Sequence, residues 1–153
     1  MIEIVIDTRE QHPFTFVPMV DVIACLGTLP TGDYSLRGFE SAVTVERKTL
    51  DDLIGCLTHD RSRFKHELER MRGFNSAAVV VEAPREMLLN GNYHSQMRPA
   101  SAWQSVVSIM QEYRLPFQFC DGREDAERFV YDFLRHFHRH RLNQMALPPY
   151  SPL

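Results

Sequence analysis

The sequence predicts a three-layer α/β domain, with a central mixed β-sheet flanked by helices. Short β-branched runs alternate along the chain with longer segments of helical period, which is the pattern of helices laid on both faces of one sheet. One run, Ala77-Ala-Val-Val-Val-Glu82, is apolar almost throughout and fits a strand buried on both sides. An antiparallel hairpin around Arg37-Gly38 makes the sheet mixed.

Taken in order, Ile2-Glu-Ile-Val-Ile-Asp7 reads as a central strand whose C-terminal tip carries a carboxylate. Gln11 to Met19 contains Pro13 and Pro18, lacks a helical period and reads as a loop or edge segment. Val20 to Leu29 is a second strand, stopped by Pro30-Thr-Gly-Asp33, and Tyr34-Ser-Leu36 with Ala42 to Arg47 makes the hairpin. Thr49 reads as an N-cap with Asp52 three residues on, and Leu50, Leu53, Ile54 and Leu57 line one face of the helix it starts. After a break at Thr58-His59, Ser62 to Met71 carries Phe64, Leu68 and Met71 as a helical stripe, and Gly73 ends it as a C′ glycine.

Beyond the apolar strand, Pro84 to Pro99 is a loop or short helix. Ser101 to Tyr113 is an amphipathic helix with Trp103, Val106, Val107, Met110 and Tyr113 on one side, and Pro116 to Cys120 is a short strand. The last helix runs from Arg123 to about Arg141. Its Ala126, Phe129, Val130, Phe133, Leu134 and Phe137 give more apolar surface than one layer needs, which predicts homodimerisation through this helix and the Ser101–Tyr113 helix. The domain is expected over residues 1–141, with a Pro-rich disordered tail over 142–153.

At 153 residues, 44% hydrophobic and 24% charged, the composition suits one ordinary globular domain. No apolar run approaches the ~20 residues of a membrane span, and the first residues lack a basic n-region, so the expectation is an intracellular protein without a membrane partner. Cys25, Cys56 and Cys120 are odd in number and widely spaced, which points to buried small hydrophobes rather than to disulfides or zinc ligands. A net charge of −3 argues against indiscriminate coating of nucleic acid. Basic charge is instead local: Arg61, Arg63, Lys65, Arg70 and Arg72 stand against Asp60, Glu67 and Glu69.

The chemistry gathers at Val43-Thr-Val-Glu-Arg-Lys-Thr-Leu-Asp-Asp-Leu53, where a β-branched run turns into a helix start. On a strand, Glu46 and Lys48 share a face about 6.6 Å apart at their Cα atoms, while Arg47 faces away. The antiparallel return brings Asp33 beside Glu46. On composition alone Asp33 would be a turn-forming aspartate, and Asp52 a helix N-terminal carboxylate. Together Asp33, Glu46 and Lys48 make an Asp…Glu-x-Lys constellation suited to metal-dependent phosphodiester cleavage.

The pattern Gly32-Asp33…Glu46-Arg47-Lys48-Thr49-Leu50-Asp51-Asp52, preceded by Asp7-Thr8-Arg9-Glu10, resembles the ERCC4-type nuclease domain of structure-specific endonucleases such as XPF. The resemblance runs from about Ile2 to Phe137. It implies a restriction-endonuclease-like fold and a DNA endonuclease that uses Mg²⁺ or Mn²⁺ on branched, flap or forked DNA. It also implies metal ligation by Asp33 and Glu46 with Asp7 at the edge, catalytic roles for Lys48, Arg47 and Asp52, and support from Arg9 and Glu10. Arg61, Arg63 and Lys65 match a basic segment of that family and are expected to contact DNA phosphates. Relatives are typically dimeric and often carry a tandem helix-hairpin-helix module, for which these 153 residues leave no room. DNA delivery is therefore expected to use a protein partner. The alternative is a catalytically silent scaffold that binds DNA or protein through the same surface, although such a copy would be free to lose Asp33, Glu46 and Lys48. His136, His138 and His140 fall on different faces of the last helix and suit its C-terminal dipole.

Overall fold

The computed structural model describes residues 1–146. Its elements are β1 (Ile2–Asp7), β2 (Val22–Gly27), β3 (Tyr34–Leu36), β4 (Val43–Lys48), α1 (Leu50–Leu57), α2 (Arg61–Arg72), β5 (Ser76–Val81), α3 (Arg85–Leu89), α4 (Pro99–Tyr113), β6 (Phe117–Phe119) and α5 (Arg123–Ala146). The six strands form one sheet in the order β2-β1-β3-β4-β5-β6. Pairing is parallel at β1–β2, β4–β5 and β5–β6 and antiparallel at β1–β3 and β3–β4, so the sheet is mixed, as the sequence predicts.

Strand alternation decides what each layer buries. Ala77, Val79 and Val81 of β5 turn to one face, against Leu53, Ile54 and Leu57 of α1, Phe64, Leu68 and Met71 of α2, and Val106 and Ile109 of α4. Val80 turns to the other face with Ile4, Ile6, Tyr34 and Val45, beneath Ala126, Val130, Tyr131 and Leu134 of α5. These two apolar layers confirm the three-layer α/β architecture.

Several details depart from the sequence reading. β2 is an edge strand, and its Ile23 and Leu26 are 50% and 67% exposed. In α4 the buried face is Ala102, Val106, Ile109 and Tyr113; Val107 is exposed, because a helix of this pitch offers the sheet only a narrow strip. Gly73 caps α2 in a right-handed conformation, where the sequence predicts a left-handed C′ glycine. Cys120 alone is buried; Cys25 sits on the β2 edge and Cys56 at the rim of a cleft. The α5 helix continues through residues 142–146, five residues past its predicted end, and 147–153 lie outside the described residues. Phe129, Phe133 and Phe137 stay half-buried on α5, where they line an apolar cleft of about 440 Å³ with Ser76, His136 and His140.

Candidate active site

The β3–β4 pairing builds the site. Tyr34 stands opposite Val45, and the backbone of Asp33 ties both neighbouring strands: its N–H donates to Val45 O at 2.9 Å, and its carbonyl accepts from Asp7 N at 2.9 Å. Gly32 makes this approach possible. Its φ is +82°, and a Cβ there would stand 1.9 Å from Thr44 Oγ1, so both the backbone angle and the space demand glycine. The Thr44 hydroxyl is itself fixed, donating to Thr31 O at 2.8 Å. The Asp33 side chain then turns onto β4, where Oδ2 accepts from Arg47 N at 2.8 Å.

Glu46 and Lys48 project from the same face of β4, as strand alternation requires. Lys48 Nζ donates to Glu46 Oε1 at 3.2 Å, lies 3.9 Å from Glu67 Oε1 and sits 5.3 Å from the centre of the Phe64 ring. Both Glu46 and Lys48 are nearly buried, with side-chain exposures of 13% and 10%. Burial lifts the Asp33 carboxyl to about 6, aided by the negative charges of Glu10 and Glu67. Burial also lifts Glu46 well above the carboxylate range, with Asp33 and Glu67 adding to the effect. For Lys48 burial opposes the charge, but Glu46 and Glu67 outweigh it and hold the ammonium protonated.

Asp33 and Glu46 line two adjoining clefts. One, of about 510 Å³, opens toward His12, Thr49, Asp51, Asp52, Cys56 and His59; the other, of about 350 Å³, opens toward Thr31, Glu67 and Arg70. Arg9 and Arg63 border both. Asp52 is exposed in the first cleft while its N–H donates to Thr49 Oγ1 at 3.1 Å, so helix capping and site lining coincide at this residue. Among the described residues no three or more His, Cys, Asp and Glu side chains converge on one point. The donor set near Lys48 is made of carboxyl oxygen and is desolvated, and oxygen donors of this kind suit a hard divalent cation.

The other expected site residues divide. Arg47 leaves β4 on the side opposite Glu46 and Lys48, where Nε donates to Glu82 and Nη1 to Glu10 Oε1 at 3.1 Å, with its guanidinium over Phe14; Arg47 and Glu10 nevertheless border the larger cleft together with Asp33 and Glu46. Asp7 is 1% exposed and its oxygens are already engaged: Oδ1 accepts from Leu29 N at 2.9 Å, and Oδ2 from Arg9 Nε at 2.7 Å and Arg9 N at 3.1 Å. Burial opposes its charge, but these donors outweigh it and hold the carboxyl below the usual range. Asp7 thus anchors Arg9 and the loop before β3. In the basic segment only Arg63 lines the clefts; Arg61 donates to Leu57 O at 3.3 Å, and Lys65 is exposed outside the cleft linings.

Sequence reasoning missed Glu67 and Arg70. With Arg63 they stand at i, i+4 and i+7 on α2, one position behind the apolar stripe Phe64, Leu68 and Met71, and that spacing is the signal that locates them. Arg70 Nε donates to Thr31 Oγ1 at 3.2 Å, pinning α2 to the turn before Asp33.

Comparison with known proteins agrees with this architecture. The fold matches XPF from Aeropyrum pernix with a TM-score of 0.75 at 18% identity, covering 99% of this chain and 68% of that one. It matches the same-named protein in complex with DNA with a TM-score of 0.71 at 19% identity, covering 91% and 66%. No curated protein matches the chain. The family model described as the ERCC4 domain matches residues 6–133, a span that holds every strand from Ile6 onward and all the side chains described at the two clefts. The chain belongs to the ERCC4 domain family.

Proposed function

We propose that this chain is a metal-dependent endodeoxyribonuclease that hydrolyses phosphodiester bonds in branched, flap or forked DNA. The observation that carries the reading is the desolvated carboxylate pair Asp33 and Glu46, set across two strands beside a charged Lys48 at the junction of two clefts. A family composed generally of nucleases, and a structurally similar XPF in complex with DNA, support it.

Asp33 and Glu46 would hold Mg²⁺ or Mn²⁺, and two protein carboxylates suit Mg²⁺, which keeps much of its water shell. When bound, the cation supplies Lewis-acid polarisation of the phosphate and a more acidic water. Lys48 remains an ammonium and stabilises negative charge developing on the phosphoryl oxygens, rather than serving as a base. Asp7 holds Arg9 at the rim, where Arg9 and Arg63 flank the substrate backbone. Arg47 supports the strand that carries the site from its other face.

The test is cleavage of labelled fork, flap, duplex and single-stranded DNA with Mg²⁺, Mn²⁺ or EDTA. Asp33→Asn, Glu46→Gln and Lys48→Ala should each lower the rate by about 10²-fold or more while DNA binding persists. Cleavage near the wild-type rate by all three variants overturns the assignment, as does full activity in EDTA. Wild-type protein that binds DNA but cuts none of these substrates identifies a silent scaffold. The half-buried Phe129, Phe133 and Phe137 support a homodimer through α5. Light scattering at micromolar concentration that detects only monomer rejects it.

A further inference from the structure

Glu67 Oε1 is buried and has no hydrogen-bond partner among the described residues. Its neighbours on the α2 stripe are turned elsewhere: Arg70 donates to Thr31, and the nearest carboxylate to Arg63 is Asp60 at 3.9 Å. An unpaired buried acceptor costs free energy, and this one faces the ammonium of Lys48 across 3.9 Å. Lys48 meanwhile is bonded to Glu46, at 3.2 Å.

We infer that Glu67 is a positioning residue that receives the Lys48 ammonium when Glu46 is engaged by a divalent cation. The inference rests on the nuclease reading, because it assumes that Glu46 takes up the ion. A carboxylate so engaged has less charge to offer Lys48, and the ion itself repels the ammonium. Without a second anion Lys48 would swing out to solvent. A shift of about 1 Å brings Nζ from 3.9 Å to the charge-assisted range of 2.7–2.9 Å from Glu67 Oε1. The Phe64 ring, one turn before Glu67 on α2, lies beside Nζ and keeps the stem in place through the move. Since Phe64 and Leu68 are locked in the core, the receiving carboxylate stands on a fixed backbone. The spare acceptor of the free protein thus becomes a partner in the loaded one.

The side-chain nuclear magnetic resonance signal of Lys48, followed in wild type, Glu67→Ala and Glu67→Gln with and without Mg²⁺, reads this directly and needs no cleavage. In wild type the signal should shift on adding Mg²⁺ yet stay ordered. In Glu67→Ala it should stay ordered without Mg²⁺ and become motionally averaged with it, and Glu67→Gln, which keeps an acceptor oxygen, should restore much of the order. Single-turnover cleavage should fall about tenfold in Glu67→Ala, with affinity for DNA in Ca²⁺ unchanged or tighter, since a negative charge has been removed near the path. A Lys48 signal in Glu67→Ala that responds to Mg²⁺ as wild type does overturns the inference. So does a loss of cleavage matched by equal losses of DNA binding and melting temperature. Should wild type cut no DNA while Mg²⁺ still frees Lys48 in Glu67→Ala, the nuclease reading fails and the positioning role stands.

Discussion

Glu46 and Lys48 on one side of β4 and Arg47 on the other are adjacent in sequence, yet their surroundings differ in charge balance. Behind the strand, the carboxylates of Glu10 and Glu82 meet two guanidiniums, those of Arg47 and Arg123, and both cations also cover the Phe14 ring. In front, Glu46 and Glu67 lie 3.2 and 3.9 Å from the Lys48 ammonium, Asp33 shares the clefts with Glu46, and Arg9 and Arg63 stand at their border. The rear network pairs its carboxylates with guanidiniums and fastens β4 to the segments after β1 and β5 and to the start of α5, while Glu10 and Arg47 also reach the larger cleft. The front one holds Asp33 and Glu46 where burial and mutual repulsion disfavour their charged forms, so a bound cation would favour their ionisation.

The sharpest way to break this contrast is to delete a charge on each side. Arg47→Met strands Glu10 and leaves Glu82 with Arg123 alone, each carboxylate about 90% buried, and should cost about 3–5 kcal/mol. For a domain of this size that is a fall in melting temperature of roughly 6–20 °C. Glu46→Gln in metal-free buffer at pH 8 should not lower the melting temperature and should raise it by a few degrees, because it removes a disfavoured charge. If thermal denaturation shows Arg47→Met unaffected and Glu46→Gln strongly destabilised, the two sides have been assigned the wrong way round.

A smaller effect, of opposite sign to ordinary acid unfolding, follows from the raised carboxyls. Asp33 has a folded pKa of about 6 against 3.8 unfolded, so between these values the folded chain binds more protons than the unfolded one. Its contribution to stability is therefore present at low pH and is lost as pH rises from about 4 through 6, and Glu46 acts in the same direction. The difference in melting temperature between Glu46→Gln and wild type should widen as pH rises, and Mg²⁺ at pH 8 should narrow it by stabilising wild type alone. A difference independent of pH and Mg²⁺ would remove the electrostatic account of the front face.

The smallest expected change concerns DNA. Since Arg63 borders both clefts and Arg61 is turned to Leu57 O, Arg63→Ala should lower the slope of log affinity against log salt by about 0.7–0.9, and Arg61→Ala and Lys65→Ala by less. The measurement uses Glu46→Gln protein in EDTA, so that nothing is cut. Equal slope changes for all three would extend the contact surface along the whole exposed side of α2.

Strand period explains why so much of the front face was legible: Glu46 and Lys48 had to share a side, Arg47 had to oppose them, and the antiparallel return had to bring Asp33 alongside. Helix capping at Thr49 was equally local. What stayed hidden depended on which elements meet in space. Glu82 and Arg123 find Arg47 only because β5 lies beside β4 and α5 crosses the rear layer. Glu67 and Arg70 were visible as charges in one helical row with Arg63, but that spacing marks only the row, and that it faces Asp33 depends on how α2 packs. Asp7 lines the smaller cleft with Asp33 and Glu46, at the edge where its strand-tip position puts it, but its hydrogen bonds with Leu29 and Arg9 are tertiary and lay beyond any local pattern.

Gly32 and Thr44 make two sequence positions interdependent. The missing Cβ at Gly32 leaves room for the Thr44 hydroxyl, and that hydroxyl holds Thr31 in the turn that presents Asp33. Alanine at position 32 would require Thr44 to shrink as well, and even then the backbone would keep a φ of +82° that a side chain resists. Neither change repairs the other fully, so each single substitution across this pair costs stability in the turn. The turn before Asp33 is therefore a place where the chain tolerates little change.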